Sequence, residues 1–537
     1  MSSHSLKHGP QSLSKLTEAL KQAGNLVSEP EQFLNNALPK ITDIAYDSRH
    51  VTEGSAFFCI PGEKTNGNQF IEAALKAGAS AIFTEAAPTA APSAQTTFVL
   101  VKNARLALAQ AASAFYDHPS EKMRLLAVTG TNGKTTTTHL LEHILATHKL
   151  PVGLIGTLGA RTSVPSNGGA NAGQYIDTKH TTPQASDLQR ILFEMHESGV
   201  THVAMEVSSH ALALDRVAAC DFATAALTNL TQDHLDFHKT MENYFLAKQI
   251  LFTDLGKSTQ KNKTAIVNAD DEYAKRFLDS IDKAIKVWTY AWKAPADAYV
   301  ISASFDFSGT KLELVTPSGP LFLDLKLNGV FNVYNVMAAI LMALAEGVPL
   351  STCKSALEAF SGVAGRFESV LANATTTASA SKHKQPLCLV DYAHTPDGLE
   401  NVLKSARALV PADGQLLVVF GCGGDRDSSK RPQMGQIAEN LADQLFVTSD
   451  NPRSEDPQQI IADILAGIKR IKSVKVDVDR AAAIEEAVRS AGAEDVIVIA
   501  GKGHETYQIL ADRTIDFDDR AVARAALSKH LNKVNSQ

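Results

Sequence analysis

A short glycine-rich segment carries the strongest chemical signal in the sequence. It reads Thr129-Gly-Thr-Asn-Gly-Lys-Thr135 and follows an apolar run, Leu125–Val128, that is typical of a buried strand. Glycines let the backbone wrap around a phosphate, and the amides at the start of the following helix point at it. In such loops the lysine reaches the β- and γ-phosphates, and the next hydroxyl binds Mg²⁺. An ordinary glycine-rich turn is the alternative. We predict an ATP site built from Gly130, Thr131, Asn132, Gly133, Lys134, Thr135 and Thr136.

Two later segments hold side chains suited to a hard cation. Glu206 stands near the end of the apolar run His202–Val207, and ligands of parallel α/β sheets gather at such strand ends. Further on, residues 233–238 contain two aspartates and two histidines, His234 among them. A solvated strand end is the alternative for the carboxylate, and a capped turn with structural histidines is the alternative for the second segment.

Lys248 is the third unusual residue. It lies in a predicted helix that Thr240 would cap, and Tyr244 and Phe245 share its face. Burial among such neighbours would lower the pKa of the lysine and leave a neutral, reactive amine. The alternative is a lysine whose stem lies along an amphipathic helix while its ammonium reaches water.

These residues require parallel strands separated by helices to position them. Short apolar runs that end in glycine or polar residues alternate with helical patterns, which predicts largely parallel α/β sheets. A break near residues 361–366 separates two such series, and the first 118 residues form a smaller α/β unit. In the first unit, short strands are predicted around Ile44 and at Ala56–Ile60 and Ala81–Thr84. Besides these and the two runs above, the predicted strands are Ala223–Leu227, Ala265–Val267, Leu387–Val390, Leu416–Phe420, Gln444–Val447 and Val496–Ala500. Residues 163–173, rich in Gly, Ala and Ser, are predicted to be a surface loop.

Composition sets the outer limits. The chain has 537 residues, of which 44% are hydrophobic and 20% charged, enough for several cores. Its net charge of −7 argues against a general nucleic-acid binder. No apolar run reaches the roughly 20 residues that span a bilayer. The five cysteines are scattered, with no Cys-x-x-Cys pair, which fits free thiols in a reducing cytoplasm.

The motifs together resemble one enzyme family. Beyond the segments above, the sequence contains Asn328-Gly-Val-Phe-Asn-Val-Tyr-Asn335, Gly365-Arg-Phe-Glu368, Asp391-Tyr-Ala-His-Thr-Pro-Asp397, Gly421-Cys-Gly-Gly-Asp-Arg-Asp427 and Asp450-Asn-Pro-Arg453. In this order they resemble the Mur ligases of peptidoglycan synthesis, over nearly the whole chain. The resemblance implies three α/β domains: residues 1–118 for the nucleotide-sugar, 119–362 as a P-loop ATPase-like parallel-sheet domain, and 363–537 as a Rossmann-like domain for the amino acid. It also implies a monomer.

The resemblance implies an ATP-dependent amide ligase that works through an acyl phosphate. Thr135 and Glu206 would hold one Mg²⁺, and His234 with Lys248, carbamylated by CO₂, would hold a second. These residues and Lys134 form the implied catalytic set. The resemblance places Asn332, Asn335, Arg366, Asp391 and His394 at the nucleotide.

The resemblance also implies both remaining substrates. For UDP-N-acetylmuramoyl-L-Ala-D-Glu, the matching positions are Tyr46, Ser48, Thr181, Thr182, Ser208 and Arg216, whereas Glu63–Thr65 matches by position only. For meso-2,6-diaminopimelate, they are Arg426, Asp450, Asn451, Pro452, Arg453, Gly501 and Glu505. An arginine can grip the distal carboxylate, which lysine lacks, through two parallel hydrogen bonds.

Three alternatives stay open at this stage. A lysine-adding version of the ligase differs only in the amino acid. A folylpolyglutamate synthase shares the phosphate loop but does not need the segments matched to uridine and diaminopimelate. A non-catalytic nucleotide switch would not need Glu206, His234 and Lys248 behind that loop.

Overall fold

The structure is a computed structural model that describes residues 8–28, 38–62, 65–86, 96–166, 169–172, 175–178, 180–372, 385–469 and 474–534. Glu63 and Lys64 of the predicted uridine-side segment lie outside these residues. Three main sheets of four, eleven and six strands follow one another along the chain. The three-domain α/β architecture is therefore confirmed, while the boundaries at 118 and 362 stay predictions.

The first unit is a small parallel sheet. Its four strands are Asp43–Ala45, Ser55–Phe58, Ala81–Thr84 and Thr97–Leu100, in that order. A two-stranded ribbon pairs Gln11–Ser12 with Lys40–Ile41. The helices are Leu13–Gln22, Ile71–Lys76 and Ala104–Phe115, with single 3₁₀ turns at Ser48–His50, Gly67–Phe70 and Pro119–Lys122.

The middle unit is built on the eleven-stranded sheet. Its strand order is Gly169–Ala172, Gly159–Ser166, Val152–Gly156, His202–Glu206, Arg124–Thr129, Phe222–Leu227, Thr264–Asn268, Lys286–Ala291, Ala298–Asp306, Gly309–Thr316 and Gly319–Leu325. The strands from Val152–Gly156 to Ala298–Asp306 pair in parallel, and antiparallel hairpins extend both edges. The helices are Lys134–Thr147, Ala185–Glu197, Ser209–Ala213, Leu235–His238, Met241–Lys257, Ala274–Ser280, Val330–Ala345 and Leu350–Ala359.

Both faces of this sheet are covered, as a parallel sheet requires. One apolar core includes Leu141 and Ile144 of the helix after the phosphate loop together with Val336 and Ile340. A second core on the other face includes Leu192 and Phe252. The carboxyl ends of the central strands all lie on one side of the unit, and the phosphate loop and Glu206 follow or end these strands.

The last unit has a six-stranded sheet in the order Glu368–Val370, Leu387–Asp391, Val496–Ala500, Leu416–Phe420, Gln444–Thr448 and Val474–Asp477. All pairs are parallel except the first, and a hairpin joins Tyr507–Ile509 to Thr514–Asp516. The helices are Pro396–Arg407, Lys430–Leu441, Pro457–Leu465, Arg480–Ser490 and Asp519–Val534. Among the described helices, none is long and apolar enough to cross a membrane.

The loop prediction is wrong for residues 163–166 and 169–172, while residues 167, 168 and 173 lie outside the described residues. Gly159–Ser166 and Gly169–Ala172 form an antiparallel hairpin at one edge of the central sheet, with Ser163 opposite Ala172. Small residues give no apolar alternation that would reveal a strand. An edge strand nevertheless needs only backbone hydrogen bonds to one neighbour, so composition was a poor guide here.

Candidate functional site

The predicted phosphate loop has the conformation that anion binding requires. It joins the strand Arg124–Thr129 to the helix Lys134–Thr147, and Gly133 occupies the N-cap with φ +87°. Gly130 has φ +147°, so both turns use backbone conformations that glycine adopts without strain. Lys134 curls back and donates to the carbonyl oxygens of Gly130 at 2.8 Å and Thr131 at 2.9 Å. A ligand phosphate would offer this ammonium stronger, charged acceptors.

Glu206 lies next to the start of that helix. Its side chain is fully buried, and Thr135 donates to its Oε2 at 3.0 Å. Thr157, which follows the neighbouring strand, donates to Oε1 through its amide at 2.8 Å and to Oε2 through its hydroxyl at 3.1 Å. A buried carboxylate held by two hydroxyls and an amide is fixed in place, and it lies at the start of the helix that follows the phosphate loop.

Lys248 reaches the same loop from the helix Met241–Lys257, which Thr240 caps. The side chain is 1% exposed, and its Nζ donates to the Gly130 carbonyl at 2.9 Å. One turn earlier, the Tyr244 hydroxyl lies 3.1 Å from the Thr131 hydroxyl. Burial lowers the pKa of Lys248 well below its usual range, and nearby Lys134 lowers it further. Two lysine nitrogens therefore share one carbonyl oxygen, an arrangement that disfavours two ammonium ions.

His234 lies beside these lysines. It has φ +54° and its Nε2 is 3.3 Å from Asp233 Oδ2. Burial lowers the pKa of His234 to about 4, although Asp233 acts in the opposite direction. The ring is therefore neutral near pH 7, the form that binds a metal ion. His210 packs edge-on against it at 4.7 Å between ring centroids.

The donor set fits Mg²⁺ only as part of a larger shell. Within the described residues, no three His, Cys, Asp or Glu side chains are close enough to hold a metal ion by themselves. Thr135 and Glu206 offer two oxygens 3.0 Å apart. Mg²⁺ is commonly bound by one or two carboxylates together with water and substrate phosphates. The residues present therefore fit a cation that arrives with a nucleotide.

Residues of the last unit contact the phosphate loop. Arg366 donates to the Thr135 hydroxyl at 3.3 Å and lies over the Tyr392 ring, 4.5 Å from its centroid. Asp397 Oδ2 accepts from the Asn132 side chain at 2.8 Å and from the Thr231 hydroxyl at 2.9 Å. These contacts hold the last unit against the loop.

A cavity of about 410 Å³ opens between the two units beside the loop. Its polar wall includes the predicted ATP residues Asn132, Gly133, Thr136, Asn335, Arg366, Asp391 and His394. Asn335 Oδ1 accepts from Thr137 at 3.3 Å, and its amide donates to Asn332 at 3.1 Å. Burial raises the pKa of Asp391 to about 6, against the effect of Arg366 and the Phe367 amide. Seven of the predicted nucleotide residues, from both units, therefore line one cavity, whereas Gly130, Thr131, Lys134, Thr135 and Asn332 do not line it.

A second cavity, of about 600 Å³, adjoins the first, because Tyr392, His394 and Asp397 line both. We call it the acceptor cavity. Its wall contains six of the seven residues predicted to bind the amino acid, Pro452 being the exception: Arg426, Asp450, Asn451, Arg453, Gly501 and Glu505. His234 also lines it. A residue predicted to bind a cation therefore faces the same cavity as the residues predicted to bind the amino acid.

Arg426 and Arg453, the two arginines predicted to bind the amino acid, make hydrogen bonds only to backbone oxygens within the described residues. Arg453, at φ +54°, donates to the carbonyls of Gly424 at 2.7 Å and Asn451 at 3.4 Å. Arg426 is exposed and donates to the carbonyl of Asp425 at 2.9 Å. In the described part of the chain neither makes an ion pair, so both guanidinium groups are available to a ligand carboxylate.

The residues predicted for the nucleotide-sugar fall into two places. Thr181, Thr182, Ser208 and Arg216 gather beside Glu206: Thr182 donates to the Glu206 carbonyl at 2.9 Å, and Arg216 donates to the Thr182 carbonyl at 3.1 Å. Tyr46 instead donates to Asp187 at 3.0 Å on the wall of another cavity, of about 280 Å³. Ser48 opens the 3₁₀ turn Ser48–His50 and does not line that cavity.

Comparison with known proteins decides the family. Three family models match: the Mur ligase family catalytic domain over residues 40–116, the Mur ligase middle domain over 128–343, and the Mur ligase glutamate ligase domain over 377–503. A UDP-N-acetylmuramoyl-L-alanyl-D-glutamate–2,6-diaminopimelate ligase from Halalkalibacterium halodurans is 44% identical, covering 93% of this chain and 96% of that relative. The chain belongs to the Mur ligase family.

Two further relatives agree. The ligase of the same name from Gloeobacter violaceus is 45% identical, covering 92% of this chain and 95% of that protein. A solved structure of a ligase with this name is 31% identical, with a TM-score of 0.65, and the match covers 97% of this chain and 99% of that one.

Sequence reasoning missed three polar residues of this Mur ligase. Thr157 follows a parallel strand beside Glu206, so the strand-end rule was the available signal. Asp397 lies inside a motif that was noticed for Asp391 and His394 only. Lys502 is fully buried between Gly501 and Glu505, and a lone lysine in a loop gives no sequence signal of burial.

A buried ion pair of the last unit fixes the ends of two strands that lead into the acceptor cavity. Arg480 and Asp519 are fully buried and form two hydrogen bonds of 2.7 Å. Arg480 also donates to the carbonyls of Ser449 at 3.3 Å and Ala500 at 3.0 Å. These carbonyls directly precede Asp450 and Gly501, so one arginine fixes both strand ends of the acceptor cavity.

Proposed function

We propose that this Mur ligase is an ATP-dependent ligase of peptidoglycan precursor synthesis. It joins meso-2,6-diaminopimelate to the γ-carboxylate of D-Glu in UDP-N-acetylmuramoyl-L-Ala-D-Glu. The observation that carries the proposal is the acceptor cavity, where Arg426, Arg453 and Glu505 line a space that adjoins the cavity beside the phosphate loop. The 2,6-diaminopimelate ligases at 44–45% identity support the same reaction.

The nucleotide would bind between the middle and last units. The amides of the phosphate loop and the Lys134 ammonium bind its phosphates, and Arg366 approaches them from the other side. Asn332 and Asn335 lie on the side assigned to the base. Thr135 and Glu206 would hold one Mg²⁺, with His234 and a modified Lys248 at a second, and these ions would reduce the repulsion between the γ-phosphate and the attacking carboxylate.

We further propose that Lys248 carries a CO₂-derived carbamate. Its Nζ is buried against the Gly130 carbonyl, which Lys134 already contacts. A neutral amine reacts with CO₂, and burial favours that neutral form. The carbamate would supply anionic oxygen ligands, which a hard cation prefers, where the neutral amine has none.

The reaction would proceed in two displacements. An oxygen of the γ-carboxylate attacks the γ-phosphorus of ATP, ADP leaves, and an acyl phosphate forms. The amine of diaminopimelate then attacks the acyl carbon, the amide bond forms, and phosphate leaves while the amine loses a proton. Thr181, Thr182, Ser208 and Arg216 would orient the acyl side, because they lie beside Glu206 at the same edge of the sheet.

Recognition of the amino acid would depend on opposite charges at its distal end. Arg453 and Arg426 would bind the distal carboxylate, and Glu505 would accept the distal ammonium. Lysine lacks that carboxylate and would leave the arginines without a charged partner, which a site built around polar contacts penalises. The names of the relatives do not favour the lysine-adding alternative. Tyr46 and Ser48 stay predicted contacts of the nucleotide-sugar, and the monomeric state and cytoplasmic location also stay predictions.

The test is ADP release in a coupled assay with UDP-N-acetylmuramoyl-L-Ala-D-Glu, ATP and one amine at a time. Diaminopimelate is expected to support turnover, whereas lysine and glutamate are not. Turnover with glutamate on a folate substrate would favour a folylpolyglutamate synthase. No ADP release with any amine would favour the nucleotide switch and overturn the ligase proposal.

A further inference from the structure

A buried lysine lies directly behind the acceptor cavity. Lys502 is fully buried and follows Gly501, whose backbone lines the cavity at φ +119°. The lysine side chain does not line the cavity itself. An ammonium is rarely buried without a dedicated partner, so its contacts indicate its role.

The hydrogen bonds of Lys502 converge on two residues that line the acceptor cavity. Its Nζ lies 3.0 Å from Glu505 Oε2 and 3.2 Å from Asn451 Oδ1. The Asn451 amide donates to the same Glu505 Oε2 at 2.8 Å. The Ile509 amide donates to Asn451 Oδ1 at 2.9 Å, which fixes the orientation of that side chain.

The hydrogen bonds among Lys502, Asn451 and Glu505 occupy only one of the two carboxylate oxygens of Glu505. Oε2 accepts two hydrogen bonds from within the wall. Within the described residues, Oε1 accepts none, and the Glu505 side chain lines the cavity. A cationic group entering the cavity would therefore find one carboxylate oxygen free and the other immobilised.

We infer that Lys502 is a positioning residue for the amino acceptor: it orients Glu505 so that this carboxylate receives the distal ammonium of the substrate. The inference rests on the proposed function, since it needs a cationic amine in the acceptor cavity. It goes further by making selection of that amine depend on a residue that does not touch it.

A purely structural ion pair is the competing explanation, and the two differ in outcome. Replacing one member of a buried ion pair by an apolar residue leaves the other charge without its partner and lowers stability, so a lower unfolding midpoint is expected under either explanation. A purely structural role would alter the kinetics with all substrates together. A positioning role would change the KM for the amino acid alone.

The central variant is Lys502→Met, with Lys475→Met as the matched control. Lys475 belongs to the same unit and pairs with Glu486 at 2.6 Å, but it lines a separate cavity. Lys502→Met is expected to raise the KM for diaminopimelate at least about tenfold, as loss of one partner of a buried charged pair does. The KM for ATP and the KM for the UDP substrate, measured well below the unfolding midpoint of the variant, should stay close to the wild-type values. Equal behaviour of the two variants, or a parallel rise of all three KM values, would overturn the inference.

A double-mutant cycle tests whether Lys502 acts through Glu505. Once Glu505→Gln is present, Lys502→Met should raise the KM for diaminopimelate little further. Multiplicative effects of the two changes would contradict the inference.

Two further variants cover the case in which Lys502→Met does not fold. Lys502→Arg keeps the charge, and its KM for diaminopimelate should lie closer to wild type than that of Lys502→Gln. Equal KM values for these two variants would contradict the inference.

Failure of the proposed function is distinguishable from failure of this inference. If the wild-type protein turns over another amine and not diaminopimelate, the proposed substrate is wrong. The same comparison of Lys502→Met with Lys475→Met is then made with the amine that is used. A selective rise of its KM would still support the role of Lys502, and an unchanged KM would reject it.

Discussion

Around the phosphate loop, the polar side chains are bonded to one another before any ligand arrives. Lys134 and Lys248 share the Gly130 carbonyl, and Glu206 accepts from Thr135 and Thr157. In the acceptor cavity, by contrast, Arg426 and Arg453 make hydrogen bonds to backbone carbonyls only, as far as the described residues show. The first region is a compact set of mutual contacts, and the second presents two arginines that form no ion pair within the described residues to a cavity of about 600 Å³.

If the proposed function is correct, this difference separates the residues that carry out the reaction from those that select the amino acid. A region whose groups hold each other can serve any acceptor, because its geometry does not depend on the amine. A region with unpaired cations gains its charged contacts only from the correct ligand, and so discriminates among amines. Substitutions around the phosphate loop should therefore lower kcat with every amine. Substitutions in the acceptor cavity should raise the KM for diaminopimelate alone.

The largest effect is expected from Lys248→Ala. Removing this nitrogen, or its carbamate, should lower kcat at least about a hundredfold, as loss of a preorganised charged group at a reacting centre does. The KM for diaminopimelate should change little, and added bicarbonate should restore part of the rate. Lys257→Ala, on the same helix but exposed and paired with Asp254 at 2.8 Å, is the control. Full activity of Lys248→Ala would make the lysine structural.

Arg453→Met tests the acceptor region. It should raise the KM for diaminopimelate about tenfold to a hundredfold, because a charged hydrogen-bond partner of the distal carboxylate is lost. The KM for ATP should be unchanged. Arg513→Met removes an exposed arginine of the same unit, paired with Asp512 at 3.1 Å, and should have no effect. If Arg453→Met lowered kcat without raising this KM, the two regions would not be separable in the way described.

Asp397→Ala tests the contact between the units. Two hydrogen bonds, from Asn132 and Thr231, would be lost. At about 1 kcal/mol for each bond, the KM for ATP should rise about threefold to thirtyfold. Asp413→Ala, at an exposed position of the same unit, is the control. An unchanged KM for ATP would mean that Asp397 does not help to hold the last unit against the loop.

A change in stability, not in kinetics, is expected from Asp391→Asn. Because burial raises the pKa of Asp391 to about 6 from 3.8, the ionised carboxyl costs stability that grows as pH rises from about 4 to 6. Asparagine should therefore increase the free energy of unfolding at pH 8 by at most about 3 kcal/mol and change it little at pH 4. Thermal unfolding at both pH values measures this. A loss of stability of equal size at both would show that the carboxyl makes a contact asparagine cannot replace.

The two regions also differ in how well sequence predicts them. The phosphate loop is contiguous, so spacing alone predicted its strand, turn and helix, and the strand-end rule placed Glu206 near it. The acceptor cavity takes residues from segments as far apart as Arg426 and Glu505, and the resemblance to a family was needed to group them. Sequence could not predict that Lys502 is buried or that Asp397 spans two units, since both properties arise from tertiary packing. The edge hairpin at residues 159–172 was missed because small residues carry no apolar period.

A single competition experiment tests the separation of chemistry and selection most directly. The protein is incubated with ATP, UDP-N-acetylmuramoyl-L-Ala-D-Glu and equimolar diaminopimelate and lysine, and the product is identified by mass spectrometry. The account predicts that the product is extended almost entirely by diaminopimelate and that Arg453→Met erodes this preference. A product extended mainly by lysine, or a preference unaffected by Arg453→Met, would contradict it.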